Sequence, residues 1–410
     1  MQSSKDFLAV VLRGLLAVSM LQFAAMPPLA RETTFNPRIA AVWTYNDNVG
    51  FVEGDDKNSD TSAGIHVTLP VERQLQQGAL LFQYDVSSKA YREFSSLDHL
   101  DHQLRFDYGV RRSRFSSLNL SAGYYFTQDQ ANPGILENSV DPDPFLSART
   151  EREAYNLGVG YQRDINKWWA WSGSVSTWQT DFSRIDGFDP GGIPEPGPQD
   201  KTGYGGTTGF KRKVSGSSSV GAEYTYGLTD LEQEGQVNTH RLNFTFSTRV
   251  SRRISLGGKV GGYRSTHDTL REDKSGAEGT LSINFNDDLT AGPVRFRFGA
   301  GVLPSYGGAQ EGTSTNTGVF ASVSGVRDRR VNWGIEARYS QRRPQFFSQS
   351  KLDSTSVSAR MEVAILQNLG FRLRVRRTDQ TAPNQPSRSF FTFSVGPTWY
   401  PLGRTRIAGR

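Results

Sequence analysis

The segment Asp98-His99-Leu100-Asp101-His102 is the one grouping in this chain that looks catalytic by residue type and spacing. Two imidazoles and two carboxylates so close together could hold a metal ion or activate a hydroxyl. A polar loop rim accounts for the same residues, and no serine stands at a fixed offset as nucleophile. The chain has no cysteine, which excludes disulfides, thiolate metal sites, cysteine nucleophiles and a lipid anchor on that residue. Glu53, Asp55, Asp56 and Asp60 form an acidic run, but its spacing lacks the register of an EF-hand loop and reads as a solvated loop. A larger set is Arg105, Arg241, Arg249, Arg295, Arg297, Arg338, Arg360, Arg372, Arg374 and Arg376. These alternate with apolar residues, and the acids that share their positions, Asp107, Glu223, Glu336 and Glu362, are fewer. Guanidinium groups in such a ladder favour carboxylate or phosphate over cations. The alternative is that the charges pair across strands and keep an interior wet. No cofactor, metal or catalytic residue is expected.

A period of two runs through the segments that must position these arginines. Leu80, Phe82, Tyr84 and Val86 form one apolar stripe, and Leu104, Phe106, Tyr108 and Val110 another. The pattern returns in Leu242, Phe244 and Phe246, in Val294, Phe296 and Phe298, and in Phe371, Leu373 and Val375. Helices do not produce this period. With weaker candidates near Ile39, Ile65, Trp169, Tyr204, Ile254, Leu281 and Val319, the count is about 18 strands, with 16 as the alternative, many of them near the 9–11 residues that cross a bilayer.

The connections are sorted by length. Short links fall at 111–116, 163–167, 251–253, 326–330 and 367–368, and long polar links at 46–62, 128–152, 181–203, 266–276, 341–353 and 379–388. A soluble sandwich has no reason to sort its loops this way. A transmembrane antiparallel up-and-down β-barrel does, with short periplasmic turns and long extracellular loops. The all-β barrel is therefore the expected fold.

Composition agrees. Glycine is abundant at 42 residues, aromatics make up 11%, and the mean hydropathy of −0.52 suits strands of which only alternate residues meet lipid. Lys5, the apolar stretch 7–20 and the small-residue end Pro28-Leu29-Ala30 read as a secretory signal peptide, although Asp6 and Arg13 interrupt the pattern. Residues 1–30 would be that signal and 31–410 one barrel domain, with 401–410 a short periplasmic tail and the Pro/Gly-rich stretch 186–200 an extracellular loop. The formal charge of +6 is spread over basic turns (Arg111, Arg112, Arg114, Lys211, Arg212, Lys213, Arg252, Arg253, Arg327, Arg329, Arg330), which suggests anionic lipid head groups as neighbours, with plain solvated turns as the alternative. So dispersed a charge disfavours nucleic acid. Trp43, Tyr125, Trp168, Trp171, Trp399 and Tyr400 are expected at the membrane interfaces.

Phe35-Asn36-Pro37-Arg38-Ile39 and Trp43-Thr44-Tyr45-Asn46-Asp47-Asn48-Val49 resemble the opening of a family of outer-membrane β-barrel porins often encoded beside exopolysaccharide synthesis and export genes. The resemblance implies a Gram-negative outer-membrane channel linked to exopolysaccharide or surface-glycan export, with outer-membrane lipid, lipopolysaccharide and export machinery as partners. It implies no catalytic residues and says nothing of oligomeric state. Barrels of this kind usually end on an aromatic residue, whereas here Trp399-Tyr400 is followed by Pro401–Arg410. A lipid-modifying barrel enzyme and a closed structural or adhesive barrel are the competing classes.

Overall fold

The structure, a computed structural model, describes residues 32–48, 58–127, 150–184, 200–232, 235–269, 272–289, 292–306, 313–328, 330–344, 351–381 and 387–401. The segment expected to be a signal peptide, Glu53, Asp55, Asp56, the stretch 186–199 and the residues beyond Pro401 lie outside them. Among the described residues there are nineteen strands: β1 (Glu32–Phe35), β2 (Arg38–Asn46), β3 (Asp60–Leu75), β4 (Gly78–Tyr91), β5 (His99–Ser113), β6 (Ser116–Thr127), β7 (Thr150–Asp164), β8 (Trp169–Arg184), β9 (Lys201–Lys213), β10 (Ser218–Leu231), β11 (Gly235–Arg249), β12 (Ile254–His267), β13 (Glu272–Leu289), β14 (Gly292–Tyr306), β15 (Thr313–Arg327), β16 (Val331–Pro344), β17 (Leu352–Ala364), β18 (Leu369–Thr381) and β19 (Arg388–Trp399). One turn of 3-10 helix, Ser95–Leu97, joins β4 to β5.

From β2 to β19 each strand pairs antiparallel with its sequence neighbours, and β19 returns to pair with β2. The ring is closed. Strands β1 and β2 lie in one continuous register on β3, Phe35 opposite Val71 and Arg38 opposite Thr68, so they are a single strand broken at Asn36-Pro37. That makes an 18-stranded barrel, and the alternative of 16 is set aside.

Registers carry the apolar stripes around the ring without a change of face. Tyr84 stands opposite Leu104, Leu104 opposite Tyr124, and Tyr124 opposite Tyr155. Further round, Val323 faces Ile335 and Ile335 faces Ala359. This face is outside, where Val175 is 62% exposed, Val260 60% and Phe244 59%. Most of the buried residues are polar and sit on the other face, among them Thr44, Asn243, Glu278, Ser354 and Thr378. The distribution is inverted relative to a soluble protein, since water tolerates exposed apolar patches of only a few hundred Å². Hydrocarbon is the solvent that suits such a belt, and a closed barrel satisfies every backbone group within it.

Most strands run longer than the span expected from sequence; β13 has 18 residues. A 14-residue strand such as β4, rising ~3.3 Å per residue at a tilt of roughly 40°, stands about 35 Å tall, against an apolar belt of about 25 Å. The surplus explains the misplaced loop boundaries: the ribbon continues past the interface with both faces polar, as at Gln341–Pro344, which was expected to be loop. Turns at the end where β2 begins are uniformly short, including 76–77, 114–115, 165–168, 250–253 and 290–291. The opposite end is not uniformly long: 232–234 and 268–271 are short as well. By the barrel rule the uniformly short end is periplasmic.

Two interface aromatics are corrected by parity. Trp43 and Trp399 are exposed on the outer face, but Tyr125 is buried inside beside Arg152, and the Tyr400 hydroxyl reaches inward to Glu362 at 2.5 Å. The basic turn residues all lie at the periplasmic end except Arg329, which falls outside the described residues; Arg212 covers the Trp169 ring at 5.5 Å.

Candidate functional site

All ten arginines singled out by sequence stand on the interior parity of their strands, because each alternates with an outward apolar neighbour. Seven of them share one wall. Arg295 and Arg297 come from β14, Arg338 from β16, Arg360 from β17, and Arg372, Arg374 and Arg376 from β18. Pairing places them on adjoining rungs: Arg297 opposite Ser322, Ser322 opposite Glu336, Glu336 opposite Ser358, and Ser358 opposite Arg376. One rung away Arg360 and Arg374 are direct neighbours, an opposition of like charge that costs stability unless water screens it. Arg295, Arg297 and Arg360 are exposed to the interior. Glu336 meets Arg338 at 3.5 Å and Glu362 meets Arg372 at 3.6 Å, while Arg376 Nε donates to Thr378 Oγ1 at 3.2 Å.

Sequence reasoning missed a further member, Arg342 on β16, which is inward and 4% exposed; it lay in a stretch read as loop, and only its parity with Arg338 could have revealed it. The facing wall is of another kind: Ser172, Ser174 and Ser176 on β8 and Gly205, Thr207 and Gly209 on β9 point inward, with small side chains that leave room. At mid-height the lumen is thus lined by guanidinium on one side and by hydroxyls and bare backbone on the other.

The remaining three arginines do not join the wall. Arg105 is paired with Asp107 at 2.5 Å on β5. Arg241 lies 4.0 Å from Glu278, whose other oxygen accepts from Asn243 at 2.5 Å. Arg249 sits near the periplasmic end of β11, opposite Ser255. Sequence reasoning also missed a stack near the extracellular ends of β6 to β9, where Arg152 lies between Tyr125 and Phe182, and Lys201 between Phe182 and Trp178, all at 5.7–5.9 Å.

The His–Asp grouping does not converge. His99 and Asp101 point inward, 3.5 Å apart and nearly fully buried, with His99 Nδ1 on the Leu97 carbonyl at 2.7 Å. His102, three residues on, points outward and bonds the Tyr84 hydroxyl at 2.7 Å, because an odd spacing in a strand puts side chains on opposite faces. Asp98 accepts the Tyr91 N–H at 2.6 Å. The acidic loop is corrected at Asp60, which is buried rather than solvated and accepts backbone N–H groups of Thr61, Glu93 and Phe94 at 2.6–3.3 Å. Among the described residues no group of three or more His, Cys, Asp or Glu is placed to hold a metal ion.

The closed ring, the outward apolar belt and the polar interior define a transmembrane β-barrel of the outer-membrane class. No family model and no curated protein matches the chain. Among solved structures it is similar in fold to OpdQ of Pseudomonas aeruginosa, at 12% identity over 91% of this chain and 99% of that one, with a TM-score of 0.46. OccK2 (OpdF) of the same organism, at 10% identity over 91% of this chain and 99% of that chain, gives 0.45. OccAB4 of Acinetobacter baumannii, at 12% identity over 91% and 100%, gives 0.44. These likenesses are of fold.

Proposed function

We propose that the protein is a passive outer-membrane channel whose lumen favours anions. The observation that carries the reading is the arginine wall: eight inward arginines on β14 to β18 share their wall, among the described residues, with two carboxylates, Glu336 and Glu362. In a water-filled interior such a surface raises the local concentration of carboxylate or phosphate groups and repels cations. The facing wall of small, hydroxyl-bearing residues suits a hydrated cargo. On the first-strand resemblance, we assign that cargo to surface-glycan or exopolysaccharide export, with outer-leaflet lipopolysaccharide and export machinery as its neighbours.

Reconstitution in planar bilayers tests the reading. Stepwise conductance is expected, with a reversal potential of anion sign across a potassium chloride gradient. Cation preference would overturn the anion reading, and silence at every voltage would favour the closed adhesive barrel. The division of His102 from His99 and Asp101 gives the lipid-modifying alternative no support.

A further inference from the structure

The second part of the segment that carries the family resemblance, Trp43 to Asn48, runs along one place: the joint between β2 and β19, where residues far apart in sequence close the ring. That joint is thin. Pairing runs from Thr392–Asn46 to Val395–Trp43, lapses at Gly396 and Pro397, and resumes at Thr398–Ala40 and Trp399–Ile39. Pro397 has no N–H to give. A Cβ on Gly396 would fall 1.8 Å from the Ala41 carbonyl oxygen, so only glycine allows the two backbones to pass so closely. On the inner side of the lapse, Arg38 Nε and Thr398 Oγ1 are buried without hydrogen-bond partners, so side chains do not make up for the missing ladder there. Below it, β1 pairs with β3 alone among the described residues.

Above the lapse the side chains of the first-strand segment span the joint one after another. Outside, the Trp43 ring meets Phe393 edge-on at 6.1 Å. Inside, Thr44 Oγ1 and Ser394 Oγ are 3.0 Å apart. Past the last paired residue of β2, Asp47 continues the register opposite Phe391: its N–H donates to the Phe391 carbonyl at 3.1 Å, and its carboxylate accepts the Phe391 N–H at 2.5 Å. A side chain here does what a backbone carbonyl does within a strand. Asn48, fully buried, donates from Nδ2 to the Ser389 carbonyl at 3.3 Å and is itself held by Asn46 Oδ1 on its N–H at 3.0 Å.

We propose that Trp43-Thr44-Tyr45-Asn46-Asp47-Asn48 is the clasp of the barrel: Asp47 and Asn48 extend the β2–β19 ladder beyond its backbone end and hold shut a joint that Gly396 and Pro397 leave open lower down. This role is independent of what the lumen conducts. The joint unites the first and last strands, the pairing with the longest loop to close, and the clasp makes ring closure the step on which Asp47 and Asn48 act.

The test uses the full chain refolded in detergent, where a closed barrel resists sodium dodecyl sulfate and migrates as a compact band until heated. Asp47→Ala and Asn48→Ala are expected to lose that band about tenfold faster at a fixed temperature. Thr239→Ala, which severs the buried Thr239–Ser265 hydroxyl pair at 3.2 Å within the β11–β12 hairpin, is expected to change the rate by less than about threefold. Because the chain has no cysteine of its own, Thr44→Cys with Ser394→Cys can staple the joint. Oxidised in the Asp47→Ala background, the staple should restore the original rate, and reduced it should not. The proposal is overturned if the clasp variants match Thr239→Ala, or if the oxidised staple restores nothing. Should Asp47→Ala give no compact band, the oxidised staple must recover it, and failure to do so overturns the proposal equally.

Discussion

A pair of adjacent residues offers a sharp test of which face meets lipid. Val175 and Ser174 lie near the middle of β8, a 16-residue strand. Val175 points outward between Val159 and Gly206, and Ser174 inward between Gly160 and Thr207. Replacing each with arginine makes the same charge and similar bulk point in opposite directions. At the bilayer midplane an outward arginine costs about 2–4 kcal/mol, which lowers the folded-to-unfolded ratio by about 30- to 1,000-fold. An inward arginine at Ser174 enters a wet lumen lined by small residues, and its cost should stay within about 0.5 kcal/mol. Urea titration of refolding into lipid vesicles, followed by tryptophan fluorescence, measures both. Equal destabilisation of the two variants, or a larger loss for Ser174→Arg, would refute the assignment of faces and with it the lipid-facing belt.

Three further outcomes follow from the geometry. An arginine about 6 Å from a passing ion contributes about 0.7 kcal/mol in water, roughly halved by screening at 0.1 M salt; counted with opposite sign for anion and cation, each of Arg295→Gln and Arg297→Gln should therefore lower the anion-to-cation permeability ratio by about threefold, an effect that vanishes near 1 M salt, and an unchanged reversal potential in the double variant would count against the wall. Asp60→Ala strips the acceptor from the Glu93 and Phe94 N–H groups and should cost about 1–3 kcal/mol, read as faster amide exchange and proteolysis at 92–98 with β10 to β15 unchanged. Zinc titration should reveal no site that His99→Gln and His102→Gln abolish alike, because the two rings occupy opposite faces of β5; a shared loss would reinstate the metal reading.

The alternation was legible because a strand facing two solvents has no freedom of register: a slip of one residue at Leu242, Phe244 and Phe246 would turn three large apolar side chains into the lumen. The ends of the strands were not legible, because apolar alternation stops at the interface while hydrogen bonding continues, as it does through Arg342 and Lys201. The His99–His102 grouping misled for a related reason. Proximity in sequence suggests convergence in a loop or helix, whereas extended backbone separates residues of odd spacing. The joint between Thr44 and Ser394 left only an indirect trace, the particular residues of the first strand, since nothing local marks a partner on the last strand.

The concentration of arginine on consecutive strands has its own logic. Segments such as Arg295-Phe296-Arg297-Phe298 and Arg372-Leu373-Arg374-Val375-Arg376 serve two solvents at once, hydrocarbon through the apolar residue and lumen water through the guanidinium. Any polar side chain would meet that requirement, and serine and threonine meet it on β8 and β9. A wall in which Arg360 directly faces Arg374 gives up stability that serine would have kept. An interior whose only task was to stay hydrated would mix signs, as β5 does with Arg105 and Asp107. On the channel function proposed above, concentrating positive charge on one wall at mid-height while the opposite wall stays small there would set a field across the lumen, one that acts on a charged solute passing between them.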